Sequence, residues 1–292
     1  MSLARKIVLG SFALIALSVL AALGALAFGG LEYLMPHNPR ASARELIKPP
    51  LVAHRGYSAA APENTLAAFA RAAELGVSME LDVTLAATGE VVVIHDDTLE
   101  RTTDGAGLVA DISLEQLRTL DAGSWFDPAF AGERVPTLAE VLELVDGRAI
   151  IDVELKTTDD KRALAEAVVE QLRAGEALGW TFVSSFDPFL LEQVRLIEPA
   201  IHRAQLVGTF ESSDLAWHEK RLLQNLGLNG RAQPDMVIAG DGFVTREWVE
   251  RNRARGYVVM VYTINDRARA DELLGWGVDA VISDEAQLFG TP

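Results

Sequence analysis

The sequence predicts an α/β fold, a TIM (β/α)8 barrel, and three observations carry that expectation. Short β-branched runs alternate with helical stretches from Leu51 onward, the span is close to the roughly 250 residues such a barrel takes, and polar residues gather at the ends of the apolar runs. Repeated strand–helix alternation favours parallel strands with right-handed crossovers. A doubly wound open sheet is the alternative, but no glycine-rich dinucleotide loop supports it.

The chain begins with Arg5-Lys6 and then an uncharged run, residues 7–28, IVLGSFALIALSVLAALGALAF. That run is about the 20 residues needed to cross a bilayer. Residues 1–28 are therefore expected to be a transmembrane signal anchor. The alternative is a secretory signal cut near Ala25-Leu26-Ala27. The basic pair favours a cytoplasmic N-terminus. The globular part would then sit on the extracytoplasmic side of the cell membrane, or be periplasmic or secreted after cleavage. Arg40, Arg44 and Lys48 on the far side pull against this orientation. Residues 29–49, with Pro36, Pro39 and Pro49, read as a tether, and residues 50–292 as the barrel domain.

Strands are expected from 51 (LVAHR), 78 (SMELDV), 91 (VVVIH), 149 (AIIDVEL), 181 (TFVSS), 203 (RAQLVG), 235 (DMVIA), 257 (YVVMVY) and 279 (DAVIS). Helices are expected over 65–75, 137–145, 160–174, 187–197, 212–225, 246–255 and 267–275. The strand candidates exceed a barrel's eight by one, and the segment from 235 is the one expected to stand aside. An insertion, residues 98–135, follows the third strand. Its Trp125, Phe126 and Phe130 are expected to pack it onto the barrel rather than cover a site.

Composition narrows the function. A hydrophobic fraction of 49% supports a large core, and a net charge of -16 argues against a nucleic-acid partner. With no cysteine, disulfides, thiolate zinc sites and cysteine nucleophiles are excluded. A monomer is the default expectation.

The strand ends carry the chemistry. His54 and Arg55 close the first strand. Glu80 and Asp82 alternate with apolar residues in the second, so both face one side, into the barrel mouth. His95, Asp96 and Asp97 close the third. Asp152, Glu154 and Lys156 share a face by the same period of two. Ser184-Ser185, then Tyr262, Thr263 and Asn265, then Ser283-Asp284 close later strands. On a parallel barrel these ends form the face where active sites sit. A single acid there is commonly a cap or an ion-pair partner, and His37, His202 and His218 read as structural or surface residues. Three carboxylates converging inward are different: they need a metal or raised pKa values. Glu80, Asp82 and Glu154 offer oxygen only, which suits one divalent cation, Ca²⁺ or Mg²⁺. His54 and His95 remain as a proton donor and acceptor, and Arg55 and Lys156 as grips for an oxyanion. The set points to cleavage of a phosphodiester.

These residues resemble the glycerophosphodiester phosphodiesterase family. The resemblance runs in order through HRG at 54–56, PENT at 62–65, ELDV at 80–83, HDDTLERTTDG at 95–105, VPTLAEVL at 135–142, VELK at 153–156, SSF at 184–186, VYTIN at 261–265 and VDAVISD at 278–284. It implies a TIM barrel, a divalent metal held by Glu80, Asp82 and Glu154, and hydrolysis to glycerol 3-phosphate and an alcohol through a cyclic phosphate. It implies His54 and His95 as the acid–base pair, with Arg55 and Lys156 on phosphate. Glu63 and Asn64 match the family motif, with Asn64 or Thr65 as a natural helix cap. Tyr262 stands where the family commonly has Trp, so it is expected to alter the wall of the substrate pocket, and Glu285 stands where Pro is common. A lysophospholipase D at the membrane is the competing activity, and an inactive barrel kept as a binding module the competing class.

Overall fold

The computed structural model describes residues 37–290 apart from 48, 212 and 214. Among the described residues the strands are β1 (Leu51–Ala53), β2 (Ser78–Leu85), β3 (Val91–Val93), β4 (Ile151–Leu155), β5 (Thr181–Ser185), β6 (His202–Val207), β7 (Met236–Gly240), β8 (Val258–Tyr262) and β9 (Ala280–Ser283). Their order is β1-β9-β8-β7-β6-β5-β4-β2-β3, and a parallel β1–β2 pairing closes the ring. The ring is the eight-stranded parallel barrel that the sequence predicts.

The odd strand is not the one expected. The segment from 235 is β7, paired parallel with both β6 and β8. The strand outside the ring is β3, which runs antiparallel along the far end of β2, Val83 opposite Val93 and Leu85 opposite Val91. Residues 86–90 connect the two, and a crossover between parallel strands needs a dozen residues or more. A tight hairpin is all that this length allows.

The helices are α1 (Leu66–Glu74), α2 (Leu114–Leu117), α3 (Leu138–Val145), α4 (Lys161–Ala174), α5 (Pro188–Ile197), α6 (Trp217–Gln224), α7 (Asn229–Ala232), α8 (Arg246–Ala254) and α9 (Arg267–Trp276). The main barrel helices start on a side-chain oxygen that accepts a backbone N–H: Thr65, Thr137, Asp160, Asp187, Thr245 and Asp266. Each such cap stabilises its helix by roughly 0.5–2 kcal/mol, and together they fix where six of the loops from the barrel mouth end. Residues 209–231, which include α6, belong to a separate small unit.

Alternate residues of the strands fill the barrel interior. Val52, Phe182, Leu206, Met236, Ile238, Val258, Met260 and Ile282 form one buried cluster. Ala43 and Ile47 join it, carried by a 3-10 turn over Ala41–Leu46. Arg40 fixes this plug: its guanidinium donates to Asp235 at 2.6 Å and to the carbonyls of Pro199, Ala200 and Ile201. Those groups precede β6 and β7, so the plug corks the end remote from the strand C-termini. Residues 41–47 were expected in the tether, and they belong to the barrel instead. The expected anchor, residues 1–28, lies outside the described residues. Among the described residues no helix is long and apolar enough to cross a membrane.

The insertion has its own core of Val92, Ile94, Leu99, Val109, Leu117, Ala122 and Val135. Trp125, Phe126 and Phe130 stack edge to face at 5.7 and 5.6 Å, with Arg71 of α1 over Phe130 at 5.2 Å. Phe130 thus seats the insertion on α1 as expected, while Phe126 packs on Phe130 and Trp125 on Phe126, with Trp125 left exposed.

Candidate active site

Register brings the carboxylates together. Glu80 pairs with Asp152 and Asp82 with Glu154 across β2 and β4, so consecutive inward positions stand side by side. Oxygens of Glu80, Asp82 and Glu154 lie within 4.8 Å of one another. Lys156, just past β4, continues the ladder by donating its N–H to Val83 O, and its Nζ reaches Glu154 at 3.0 Å and Asp82 at 3.3 Å.

The β3 hairpin delivers His95. Ile94 N–H donates to Asp82 O at 3.0 Å, which lays the residue after it over the end of β2. His54 leaves β1 with its N–H on Ser283 O of β9 at 2.8 Å. Each imidazole has a carboxylate on Nδ1: Asp284 for His54 and Asp96 for His95, both at 2.6 Å. An acceptor at Nδ1 keeps a proton there and leaves Nε2 to take or give a proton on a substrate. The Nε2 of His54 stands 4.0 Å from Glu80. Both rings line one cavity of about 210 Å³ together with Arg55, Glu80, Glu154, Lys156 and Tyr262.

The turn after β1 needs its own residues. Arg55 and Gly56 both take positive φ, 55° and 79°. Arg55 N–H then donates to Glu80 Oε2 at 2.9 Å and Gly56 N–H to Glu80 O at 3.2 Å. A Cβ on Gly56 would meet the backbone carbon of Ala68 at 2.8 Å. Gly56→Ala therefore combines a left-handed backbone penalty of about 1–2 kcal/mol with a clash against α1. Thermal unfolding should show a clear loss of stability, with turnover falling because Arg55 and Glu80 move. A variant with unchanged melting temperature would mean the turn can rearrange freely.

Electrostatics sort the carboxylates. Burial, then Asp82 and Glu154, push Glu80 well above its ordinary value. Burial also raises Glu154, against the opposing pull of Lys156. Burial would raise Asp82 too, but Lys156 and Arg55 hold it below the usual range. Asp152 is raised by burial, with Glu154 and Asp82 adding to it. Lys156 loses solvent through burial, yet Glu154 and Asp82 keep its pKa above normal. His95 is lowered by burial and by Lys156 and Arg55, despite Asp82. Asp284 would be raised by burial, but hydrogen bonds from His54 and Asn265 bring it down to about 2.

The donor set suits a hard divalent cation. Three separate carboxylates converge, and Glu80 Oε1 is buried with no hydrogen-bond partner. Buried charge left this way is costly, and a cation with oxygen preference relieves it.

Several residues at the site went unassigned in the sequence. Asn64 donates from Nδ2 to Asp82 Oδ2 at 2.8 Å and accepts Asp82 N–H at 3.3 Å, so it clamps Asp82, while Thr65 is the helix cap. Asp284 and Asp96 orient the imidazoles. Their signal was positional: each is a carboxylate at a strand end, Asp96 beside its histidine in sequence and Asp284 across the β1–β9 pair. Tyr262 turns its hydroxyl to Val207 O at 3.3 Å and meets Phe186 edge to face at 6.2 Å, so the ring forms a wall of the cavity.

A closed parallel barrel with carboxylates, imidazoles and cations converging at its strand C-termini defines a class, the TIM-barrel phosphoric diester hydrolases. The sequence profile of the glycerophosphoryl diester phosphodiesterase family matches residues 54–288. Glycerophosphodiester phosphodiesterases of Caldanaerobacter subterraneus subsp. tengcongensis and Bacillus subtilis are 33% and 31% identical to the chain, over 82% and 92% of it and 96% and 95% of themselves. A phosphodiesterase of Oleispira antarctica, solved with the product sn-glycerol-3-phosphate, superposes with a TM-score of 0.72 at 34% identity, over 82% of this chain and 95% of its own. The chain belongs to the glycerophosphoryl diester phosphodiesterase family.

Proposed function

We propose that the chain hydrolyses glycerophosphodiesters to glycerol 3-phosphate and an alcohol, with His54 and His95 as its acid–base pair and a cyclic phosphate between two steps. The observation that carries this reading is the pair of imidazoles, each oriented by its own aspartate, lining one cavity with Arg55, Lys156, Glu80 and Glu154.

His54 Nε2 takes the proton of a glycerol hydroxyl as its oxygen attacks phosphorus. His95 gives a proton to the leaving alcohol oxygen. The rings then exchange roles: His95 takes a proton from water, and His54 protonates the glycerol oxygen as the cyclic phosphate opens. Arg55 and Lys156 face the phosphate oxygens, where charge accumulates. Glu80, Asp82 and Glu154 would hold Ca²⁺ or Mg²⁺, which supplies positive charge against that phosphate when bound. Tyr262 walls the pocket with its ring face.

The lysophospholipid alternative is not favoured, because the relatives carry glycerophosphodiester names and the Oleispira antarctica protein holds sn-glycerol-3-phosphate. The test is turnover of sn-glycero-3-phosphocholine before and after chelation and after return of Ca²⁺ or Mg²⁺. Release of glycerol 3-phosphate that disappears with the chelator and returns with the ion is expected. Cleavage of lysophosphatidylcholine alone would overturn the reading.

A further inference from the structure

We infer that Arg101, at the start of the insertion, is a positioning residue that couples the His95 side of the cavity to the Arg55 side. This inference rests on the acid–base and phosphate-binding roles proposed above. Arg101 touches neither ring nor cavity. Its guanidinium forks twice. Toward one side, Nε and Nη2 donate to Asp96 at 2.6 and 3.0 Å, and Asp96 is the carboxylate on His95 Nδ1. Toward the other, Nη1 and Nη2 donate to Glu63 at 2.8 Å each, and Glu63 accepts from Arg55 Nη1 at 2.6 Å. Arg55 in turn reaches Asp82 and Glu80, through Nε at 3.5 Å and its N–H at 2.9 Å. A continuous chain of charge-assisted bonds therefore runs His95–Asp96–Arg101–Glu63–Arg55.

A solvent-exposed ion pair contributes little, and the Arg101 side chain is 44% exposed. The carboxylates it bridges are not so exposed: Glu63 is 14% and Asp96 26% accessible. Only a planar fork can serve two carboxylates with paired bonds at once. Without it, Asp96 loses the contact that fixes its rotamer against His95. Glu63 keeps Arg55 as its one cation and draws it from the phosphate position. The hydrogen bond from Arg101 is also the largest influence holding Asp96 in its ionised form.

The test compares Arg101→Ala, Arg101→Lys and Arg118→Ala in the full chain with sn-glycero-3-phosphocholine. Arg118 also lies in the insertion and pairs with Glu140 at 2.8 Å, so it controls for loosening of the insertion alone. Arg101→Ala is expected to lose about 10–100-fold in kcat, the usual size for removing a group that orients a working side chain. KM should change less. Arg101→Lys should fall between it and wild type, added guanidinium should restore part of the Arg101→Ala rate, and Arg118→Ala should stay within about twofold. A second readout does not need turnover: ¹⁵N NMR of His95 should show the Nδ1–H tautomer in wild type and a mixture in Arg101→Ala. Wild-type kcat in Arg101→Ala or in Arg101→Lys, absence of guanidinium rescue, or an unchanged His95 tautomer overturns the inference. If the wild type turns over no glycerophosphodiester, the functional reading fails, and the tautomer measurement still decides the coupling.

Discussion

Alanine at His54 or His95 is expected to lower kcat by about 10²–10⁴-fold, the range for loss of a positioned acid or base, with little change in melting temperature. Neither ring carries the core, since both stand at the cavity with side chains 18% and 34% exposed. Each is used in both steps, once as acid and once as base, so the double variant should fall little below the worse single one. The roles separate on a substrate with a good leaving group, such as a p-nitrophenyl ester. His95→Ala should recover much of its first-step rate there, because the leaving oxygen no longer needs a proton. His54→Ala should not recover. Recovery of His54→Ala in place of His95→Ala would exchange the two assignments.

Glu80→Gln should separate stability from activity. The residue is 4% exposed, Oε2 is engaged by Arg55 N–H, and Oε1 has no partner. Glutamine keeps the backbone contact and stands beside Asp82 and Glu154 without having to take up a proton. The metal-free variant is expected to be more stable than metal-free wild type by about 1–3 kcal/mol, the scale of an unsatisfied buried group. Turnover should fall by about 10²–10³-fold, since a cation contributes several kcal/mol of charge stabilisation and each 1.4 kcal/mol is a factor of ten. The stabilisation that Ca²⁺ or Mg²⁺ gives wild type should shrink in the variant. The pH dependence has a definite sign. In the metal-free folded chain Glu80 and Glu154 are raised, so they hold protons that the unfolded chain has already released. Stability then falls as pH rises from the ordinary carboxylate range through the raised values. Asp82, Asp96 and Asp284 are lowered and act only below that range, and lowered His95 opposes the trend up to its ordinary value. Comparing variant with wild type cancels those contributions. Calorimetry in chelator at pH 5 and pH 7 should show a shallower decline for Glu80→Gln. An equal slope would mean that Glu80 is not held protonated.

The barrel and much of its mouth were legible in the sequence because both rest on short-range periodicity. Alternation in SMELDV and IIDVELK placed Glu80, Asp82 and Glu154 on inward faces, and register on neighbouring strands did the rest. The error over β3 came from weighing composition above connection length. VVVIH looks like its neighbours, but five residues after β2 permit a hairpin only. The clamp of Asn64 on Asp82 was hidden for another reason. Asn64 itself takes left-handed backbone, φ 57°, and such a turn redirects a side chain by an amount that no periodicity encodes. The Asp284–His54 contact lies across the β1–β9 pair, 230 residues apart in the chain, where only the folded ring makes them neighbours. Residues 41–47 were obscured by the prolines around them, although Ala43 and Ile47 carry the apolar surface that seats them.

The plug at the foot of the barrel has a practical consequence. Arg40 and Ala43 are fastened at the pole opposite the catalytic mouth, so residues 38–47 serve as a foundation for the barrel and not as a spare lead-in. A handle at the other pole, on the loop carrying Asp284, would crowd the groups that orient His54. The useful cut for engineering lies ahead of Asn38, since trimming to the first strand would pull the cork from the core.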